Sequence, residues 1–201
     1  MNPLFSGELY LPNDAALMKT QMHYQDLAAA YNQTLPSQQT KRAELLTKLF
    51  AEVGPDCYIE APFYANWGGH HVHLGASVYA NYHLTLVDDG EIFIGAHTMI
   101  GPNVTLATAG HPIEPSLRVQ GYQYNLPIHI GENCWLGAGV TVLPGVTIGD
   151  NTVVGAGAFV THDLPSNVVA VGTPAKVMRE ISEHDHGFYT KNRRIDWDNI
   201  Q

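Results

Sequence analysis

The most regular feature of the chain is a row of aliphatic residues spaced six apart: Ile130, Leu136, Val142, Ile148, Val154 and Val160. Gly131, Gly137, Gly149 and Gly155 directly follow four of them. The positions four further on, Cys134, Val140, Val146, Thr152, Ala158 and Leu164, are small or apolar throughout. An α-helix turns about 100° per residue, so a spacing of six would scatter these side chains over several directions. A strand has a period of two, which divides six, so short strands separated by glycine turns put every marked residue on the same side. The pattern predicts a parallel β-helix with an all-β core.

The register also runs upstream, through Ile94, Ile100 and Leu106 and, more weakly, Leu74, Ala80 and Leu86. From Leu106 to Ile130 the repeat lapses over His111-Pro112, Glu114-Pro115, Gly121 and Pro127, and resumes in phase. A loop at about 108–128 is predicted, either a functional excursion from a rigid scaffold or a tolerated insertion. Ahead of the repeats, Leu17, Met18, Met22, Leu27 and Tyr31 fall near helical spacing, Pro36-Ser37 breaks it, and Leu45, Leu46, Leu49 and Phe50 follow. The expected organisation is a two-helix cap over 1–55, the β-helix over 56–178 and a tail over 179–201.

Composition narrows the partners. With 10 Lys plus Arg against 19 Asp plus Glu the net charge is −9, which speaks against a nucleic-acid or anionic-membrane binder. The first seven residues carry no basic and apolar leader and no apolar run reaches roughly 18 residues, so a cytoplasmic, non-spanning protein is expected. Cys57 and Cys134 have no CxxC spacing and are expected to be buried free thiols.

Several motifs stand in order along this frame: Gly7-Glu8-Leu9-Tyr10, Tyr79-Ala80-Asn81, Leu86-Val87-Asp88-Asp89, Ile100-Gly101-Pro102-Asn103-Val104, Ala109-Gly110-His111-Pro112, Pro127-Ile128, Ile130-Gly131-Glu132-Asn133-Cys134-Trp135-Leu136-Gly137, Pro144-Gly145-Val146-Thr147-Ile148-Gly149-Asp150-Asn151 and Gly172-Thr173-Pro174-Ala175-Lys176. The set resembles the hexapeptide-repeat acyltransferases, and among them the maltose, galactoside and nodulation-type sugar O-acetyltransferases. The resemblance implies a left-handed β-helix, a homotrimer with active sites between subunits, and transfer of acetyl from acetyl-CoA to a hydroxyl of a sugar acceptor, with no metal.

A sugar hydroxyl is a weak acid, so its attack on a thioester needs a base, and histidine suits that task near neutral pH. Of eleven histidines, His111 opens the extruded loop and falls on the family's catalytic histidine; His83 and His97 are the next candidates. By the same resemblance Asn81 and Asp89 hold the acceptor, although Asp88-Asp89-Gly90 is also a turn signal in its own right. Trp67 stands at an acceptor-contacting position, where an indole stacks on a sugar face. The resemblance places the backbone N–H of Ala138 at the thioester oxygen and Trp135 along the pantetheine passage, Trp135 being equally readable as a structural tryptophan. Lys176 and Arg179 match the coenzyme-binding cations, or are a solvated helix end, with Ala156 and Thr161 along the same edge. His162 stands where relatives often carry Lys.

His70, His71 and His73 invite a metal reading, but one strand sends neighbouring residues to opposite faces. Two other functions fit a β-helix: a γ-type carbonic anhydrase-like metalloenzyme and a non-catalytic trimeric scaffold. The first lacks a late histidine pair and leaves Lys176 and Arg179 unexplained; the second leaves His111 unexplained.

Overall fold

The computed structural model describes residues 2–200. Two helices come first, α1 (Ala15–Asn32) and α2 (Gln39–Leu49). Asp14 starts α1 by accepting the N–H groups of Ala16 and Leu17 at 2.9 and 3.0 Å, which satisfies donors that have no partner inside the helix. The helices end before the cap's expected limit at 55: Phe50 is already extended, and Glu52–Val53 pairs in parallel with His73 and Leu74. The β-helix therefore begins inside the segment expected to belong to the cap.

From there the chain winds around three parallel sheets. A first face contains Glu52–Val53, Val72–Leu74, Ile92–Ile94, Ile128–Ile130 and Thr147–Ile148. A second contains Tyr58–Ile59, Tyr79–Ala80, Met99–Ile100, Trp135–Leu136, Val153–Val154 and Val168–Val171. A third contains Tyr64–Ala65, Thr85–Val87, Thr105–Ala107, Thr141–Val142 and Phe159–Val160. The ladder pairs equivalent repeat positions, Ile100 with Leu136 and Leu136 with Val154.

The period-six register is the core. Ile94, Ile100, Leu106, Ile130, Leu136, Val142, Ile148, Val154 and Val160 are all buried, as are Cys134, Val140, Val146, Thr152, Ala158 and Leu164. The glycines permit coils to stack: a Cβ on Gly137 would lie 2.6 Å from the Ala156 nitrogen of the next coil. His83 and His97, the reserve candidates for the base, sit at corners with φ of 63° and 61°, a left-handed conformation that makes them turn residues.

The cap closes one end of the solenoid. Tyr31 is buried against Phe63 and its hydroxyl donates to the Ile59 carbonyl. Buried Arg42 donates to the Thr34 hydroxyl at 2.8 Å and to the Tyr58 hydroxyl at 2.6 Å, with Glu60 at 3.7 Å. At the other end Lys176–Glu180 runs antiparallel to Val168–Val171, so the expected boundary between 178 and 179 falls within a strand. Among the described residues no helix is long and apolar enough to cross a membrane. Cys57 and Cys134 are free, the first half-buried and the second buried.

Leu136 lies at the centre of this core with no exposed surface. Leu136→Ala is expected to destabilise the fold by about 2–5 kcal/mol, the usual cost of a large-to-small change in a close-packed interior, measured as the shift in chemical denaturation midpoint.

Candidate active site

The repeat is broken at one corner, where the chain passes from the third face to the first. In three successive coils the third-face strands end at Ala65, Val87 and Ala107, and the first-face strands resume at Val72, Ile92 and Ile128. The intervening residues, 66–71, 88–91 and 108–127, stack on one another. This corner carries Trp67, Asp88, Asp89, His111 and the loop expected at about 108–128.

Side chains replace the missing ladder there. Asp88 is fully buried, and its carboxyl accepts the N–H groups of Trp67 at 2.8 Å and Gly69 at 2.9 Å. The Thr108 hydroxyl accepts the N–H of Gly90 at 2.8 Å and donates to the Val87 carbonyl at 2.6 Å. Burial pushes the Asp88 carboxyl up to about 7, against the lowering effect of its two N–H donors.

The loop is a built structure. Ala109–Gly110 pairs antiparallel with Tyr124–Asn125, and a Cβ on Gly110 would meet the Tyr124 ring at 2.6 Å. Arg118, alone among cations in the middle of the sequence, is spent on the loop itself: it donates to the carbonyls of Pro112 at 3.1 Å and Ile113 at 2.7 Å. His111 is exposed, and its Nδ1 lies 2.8 Å from the Tyr122 carbonyl. A carbonyl only accepts, so Nδ1 carries the proton and Nε2 keeps its lone pair for an incoming hydroxyl.

Asp89 is buried in the same corner. Its Oδ2 accepts from Asn66 Nδ2 at 2.8 Å and its Oδ1 from Gln123 Nε2 at 3.3 Å, so a loop residue reaches back to it. Trp67 is 5% exposed, its indole packing with Leu4, Tyr10 and Leu17 and against the His71 ring. The Trp67 Nε1 has no hydrogen-bond partner among the described residues, and Trp67 and Asp89 line a cavity of about 30 Å³ with Tyr10, Pro12 and Gln21.

The histidines of 70–73 do not converge. His70 stacks on Tyr24 at 3.7 Å, His71 turns Nδ1 to the Asp88 carbonyl at 2.7 Å, and His73 stacks on Phe93 with Glu52 and Glu91 at 3.7 and 3.5 Å. Burial lowers both His70 and His71.

The remaining residues lie elsewhere. Asn81, Ala138 and Ala156 occupy the corner between the second and third faces, directly after Ala80, Leu136-Gly137 and Val154-Gly155. Asn81 Oδ1 accepts the Tyr82 N–H at 2.7 Å, and Asn81 shares no hydrogen bond with His111 or Asp89. The Ala138 N–H donates to no acceptor among the described residues. Thr161 and His162, bonded to each other at 2.7 Å, lie at the far end of the Phe159–Val160 strand, on the His111 corner. Ala156 and Thr161 thus sit on consecutive corners and not on one edge. Trp135 projects outward, 53% exposed.

Lys176 and Arg179 share an exposed strand, not a helix end. Arg179 is already matched: it forms a bidentate pair with Asp185, both contacts at 2.7 Å, which raises the arginine and holds the aspartate well below the usual carboxylate range. Lys176 has no ion pair among the described residues. Gln123, Asn125, Asn66, Tyr10 and Asp88 had no assigned role in the sequence reading. The signal available for Asp88 and Asp89 was the interval from Leu86 to Ile94, eight residues where the repeat asks for six.

Asp88 links pH to stability. Its carboxyl is held above its ordinary value of about 4, so its contribution is fully present below that pH and is lost as pH rises through about 7. Urea midpoints measured from pH 4 to 8 should show this decline for the wild type and a flatter profile for Asp88→Asn.

Residues 5–54 match the maltose acetyltransferase hexapeptide capping motif, and residues 127–162 match the bacterial transferase hexapeptide, six repeats. The chain is 54% identical over 191 residues to a galactoside O-acetyltransferase of Lactococcus lactis, covering 95% of this chain and 92% of that one. It is 42% identical over 191 residues to the galactoside O-acetyltransferase of Escherichia coli K12, covering 95% and 94%. The fold superposes on a galactoside acetyltransferase in complex with coenzyme A with a TM-score of 0.92 and 42% identity over 95% of each chain. On a maltose O-acetyltransferase from Clostridium difficile the TM-score is 0.87, with 41% identity over 89% of this chain and 95% of that one. With the capping motif and the repeats matched, and relatives aligned over 95% of the chain, the chain belongs to the hexapeptide-repeat acyltransferases, in the branch of the sugar O-acetyltransferases.

Proposed function

We propose that the protein transfers the acetyl group of acetyl-CoA to a hydroxyl of a sugar acceptor, a galactoside, maltose or related glycoside, by direct attack with His111 as general base. The observation that carries this is the 2.8 Å contact of His111 Nδ1 with the Tyr122 carbonyl, which leaves Nε2 free to accept a proton. In the proposed reaction Nε2 takes the acceptor's hydroxyl proton as the oxygen attacks the thioester carbon. The tetrahedral oxyanion is met by the unengaged Ala138 N–H. Collapse breaks the C–S bond, and the departing thiolate recovers the proton from the imidazolium. No acetyl-enzyme forms.

Asp89 and Asn81 orient the acceptor in this reading. Trp67 contributes through its unpartnered Nε1, since its ring is covered. Lys176 supplies the cation for the coenzyme phosphates; Thr161, His162 and Ala156 offer polar or backbone contacts along the two corners. One chain carries Asp89 and His111 on one corner and Asn81, Ala138 and Ala156 on another. A single substrate touches both sets when a neighbouring subunit brings its corner to the loop, and this supports a homotrimer with shared sites. The metalloenzyme alternative is disfavoured by the divergence of His70, His71 and His73.

Coenzyme A thiol release with a panel of mono- and disaccharides tests the reaction, and release unaffected by every sugar would overturn it. His111→Ala is expected to lower kcat by roughly 10²–10⁴-fold, with acetyl-CoA binding little changed.

The two cations should separate. Lys176→Ala should raise the KM for acetyl-CoA, and the wild-type advantage should shrink with added salt. Arg179→Ala, whose partner is Asp185, should leave that KM closer to wild type. Equal effects of the two on both substrates would return Lys176 to the solvated surface.

A further inference from the structure

Gln123 is almost wholly buried, yet it is an amide among polar groups of Tyr10, Asp89 and Asn125. Its backbone exchanges both hydrogen bonds with Tyr10, N–H to carbonyl at 2.9 and 3.0 Å. Its side-chain Nε2 lies 2.6 Å from the Tyr10 hydroxyl, 3.1 Å from Asn125 Oδ1 and 3.3 Å from Asp89 Oδ1.

The orientation of these amides follows from their partners. The Leu4 carbonyl, 3.0 Å from Asn125, can only accept, so the atom facing it is Asn125 Nδ2. That turns Asn125 Oδ1 toward Gln123, which must present its nitrogen. The same nitrogen then faces the Asp89 carboxylate, an acceptor. The Tyr10 hydroxyl receives an N–H of Asn125 at 2.9 Å and lies 2.6 Å from Gln123 Nε2, whose two N–H groups are shared among the Tyr10, Asn125 and Asp89 oxygens; burial raises the Tyr10 pKa so that it remains a neutral phenol. No cation faces Asp89 within this network. Its two acceptor contacts are the neutral amides of Asn66 and Gln123.

Gln123 also follows Tyr122, whose carbonyl fixes the tautomer of His111. One residue therefore holds an acceptor-side carboxylate by its side chain and sits next in sequence to the group that orients the base. We infer that Gln123 is a positioning residue that sets Asp89 and the His111 loop in one geometry, with Tyr10 and Asn125 as its anchor, and so determines how the acceptor hydroxyl is presented. This rests on the acetyl-transfer reading above and goes beyond it, because it assigns a role to residues outside the base, the acceptor ligands and the coenzyme contacts.

Gln123→Met keeps the length and volume of the side chain and removes its hydrogen bonds. It should lower kcat/KM for the acceptor by roughly 10- to 100-fold, the usual range for a hydrogen bond to a charged group, while the KM for acetyl-CoA stays within about twofold. Tyr10→Phe should weaken the same parameter, and the double variant should cost less than the product of the two single losses, since the groups act as a unit.

Gln123→Glu supplies a readout that packing alone would not move. The introduced carboxyl faces Asp89 closely enough that the pair cannot readily ionise together, and Asp88, Tyr10 and His71 are the other titratable groups coupled to Asp89. At low pH the shared proton restores the hydrogen bond, and acceptor KM should approach wild type. As pH rises and that proton is lost, acceptor KM should climb, a dependence absent from the unsubstituted enzyme. Wild-type transfer to the acceptor, measured alongside, tests the acetyl-transfer reading on its own. With the wild type active, variants that keep wild-type acceptor KM at all pH values, or that raise both KM values equally, overturn the positioning role. Should Gln123→Met fail to fold, Tyr10→Phe and the pH profile of Gln123→Glu decide the matter alone.

Discussion

A parallel coil has to keep every backbone group in register with the coils on either side, and a corner that gains residues loses that register. The protein meets this constraint with the buried carboxyl of Asp88. It accepts the N–H groups of Trp67 and Gly69 in place of ladder carbonyls, and Thr108 repeats the device one coil further on. Because these side chains complete the ladder, three irregular segments can stack on one edge, and the candidate catalytic groups stand on that edge. The cost is visible in Asp88 itself, which holds its proton far more tightly than an exposed carboxylate does.

The electrostatics are economical. A chain of charge −9 offers few cations to an anionic co-substrate, and several of those it has are committed internally. Arg42 is locked under the cap, Arg118 closes the loop on its own carbonyls, and Arg179 is paired with Asp185. Lys176 stands apart on its exposed strand, with no ion pair among the described residues.

The fold was legible in the sequence to the level of individual core residues because the six-residue period is a direct consequence of strand geometry. Leu136, Val142, Ile148 and Val154 are buried for that reason. The loop around His111 was legible because the repeat stops there. What a one-dimensional pattern did not carry was lateral contact between coils: Gln123 reaching Asp89, and Asp185 claiming Arg179, join residues with no shared spacing. Corner assignment was lost for a related reason. Ala156 and Thr161 are five residues apart, close in sequence, yet a strand of two residues separates them onto different edges. The covering of Trp67 by Leu4 and Tyr10 was not legible, because that segment has no periodicity from which its path can be drawn.

That covering segment also sets an order of events. The contact between Tyr10 and Gln123 spans 113 residues, and forming it requires the ends of a long loop to meet, an entropic cost that only finished structure can repay. The coils can zip by neighbouring contacts, each adding to the last. The N-terminal segment has to wait until the hairpin at 109–125 exists before it has anything to dock on. The corner that carries Asp89 and His111 is thus closed by contacts of large sequence separation, which join the hairpin at 109–125 to the segment ahead of the solenoid.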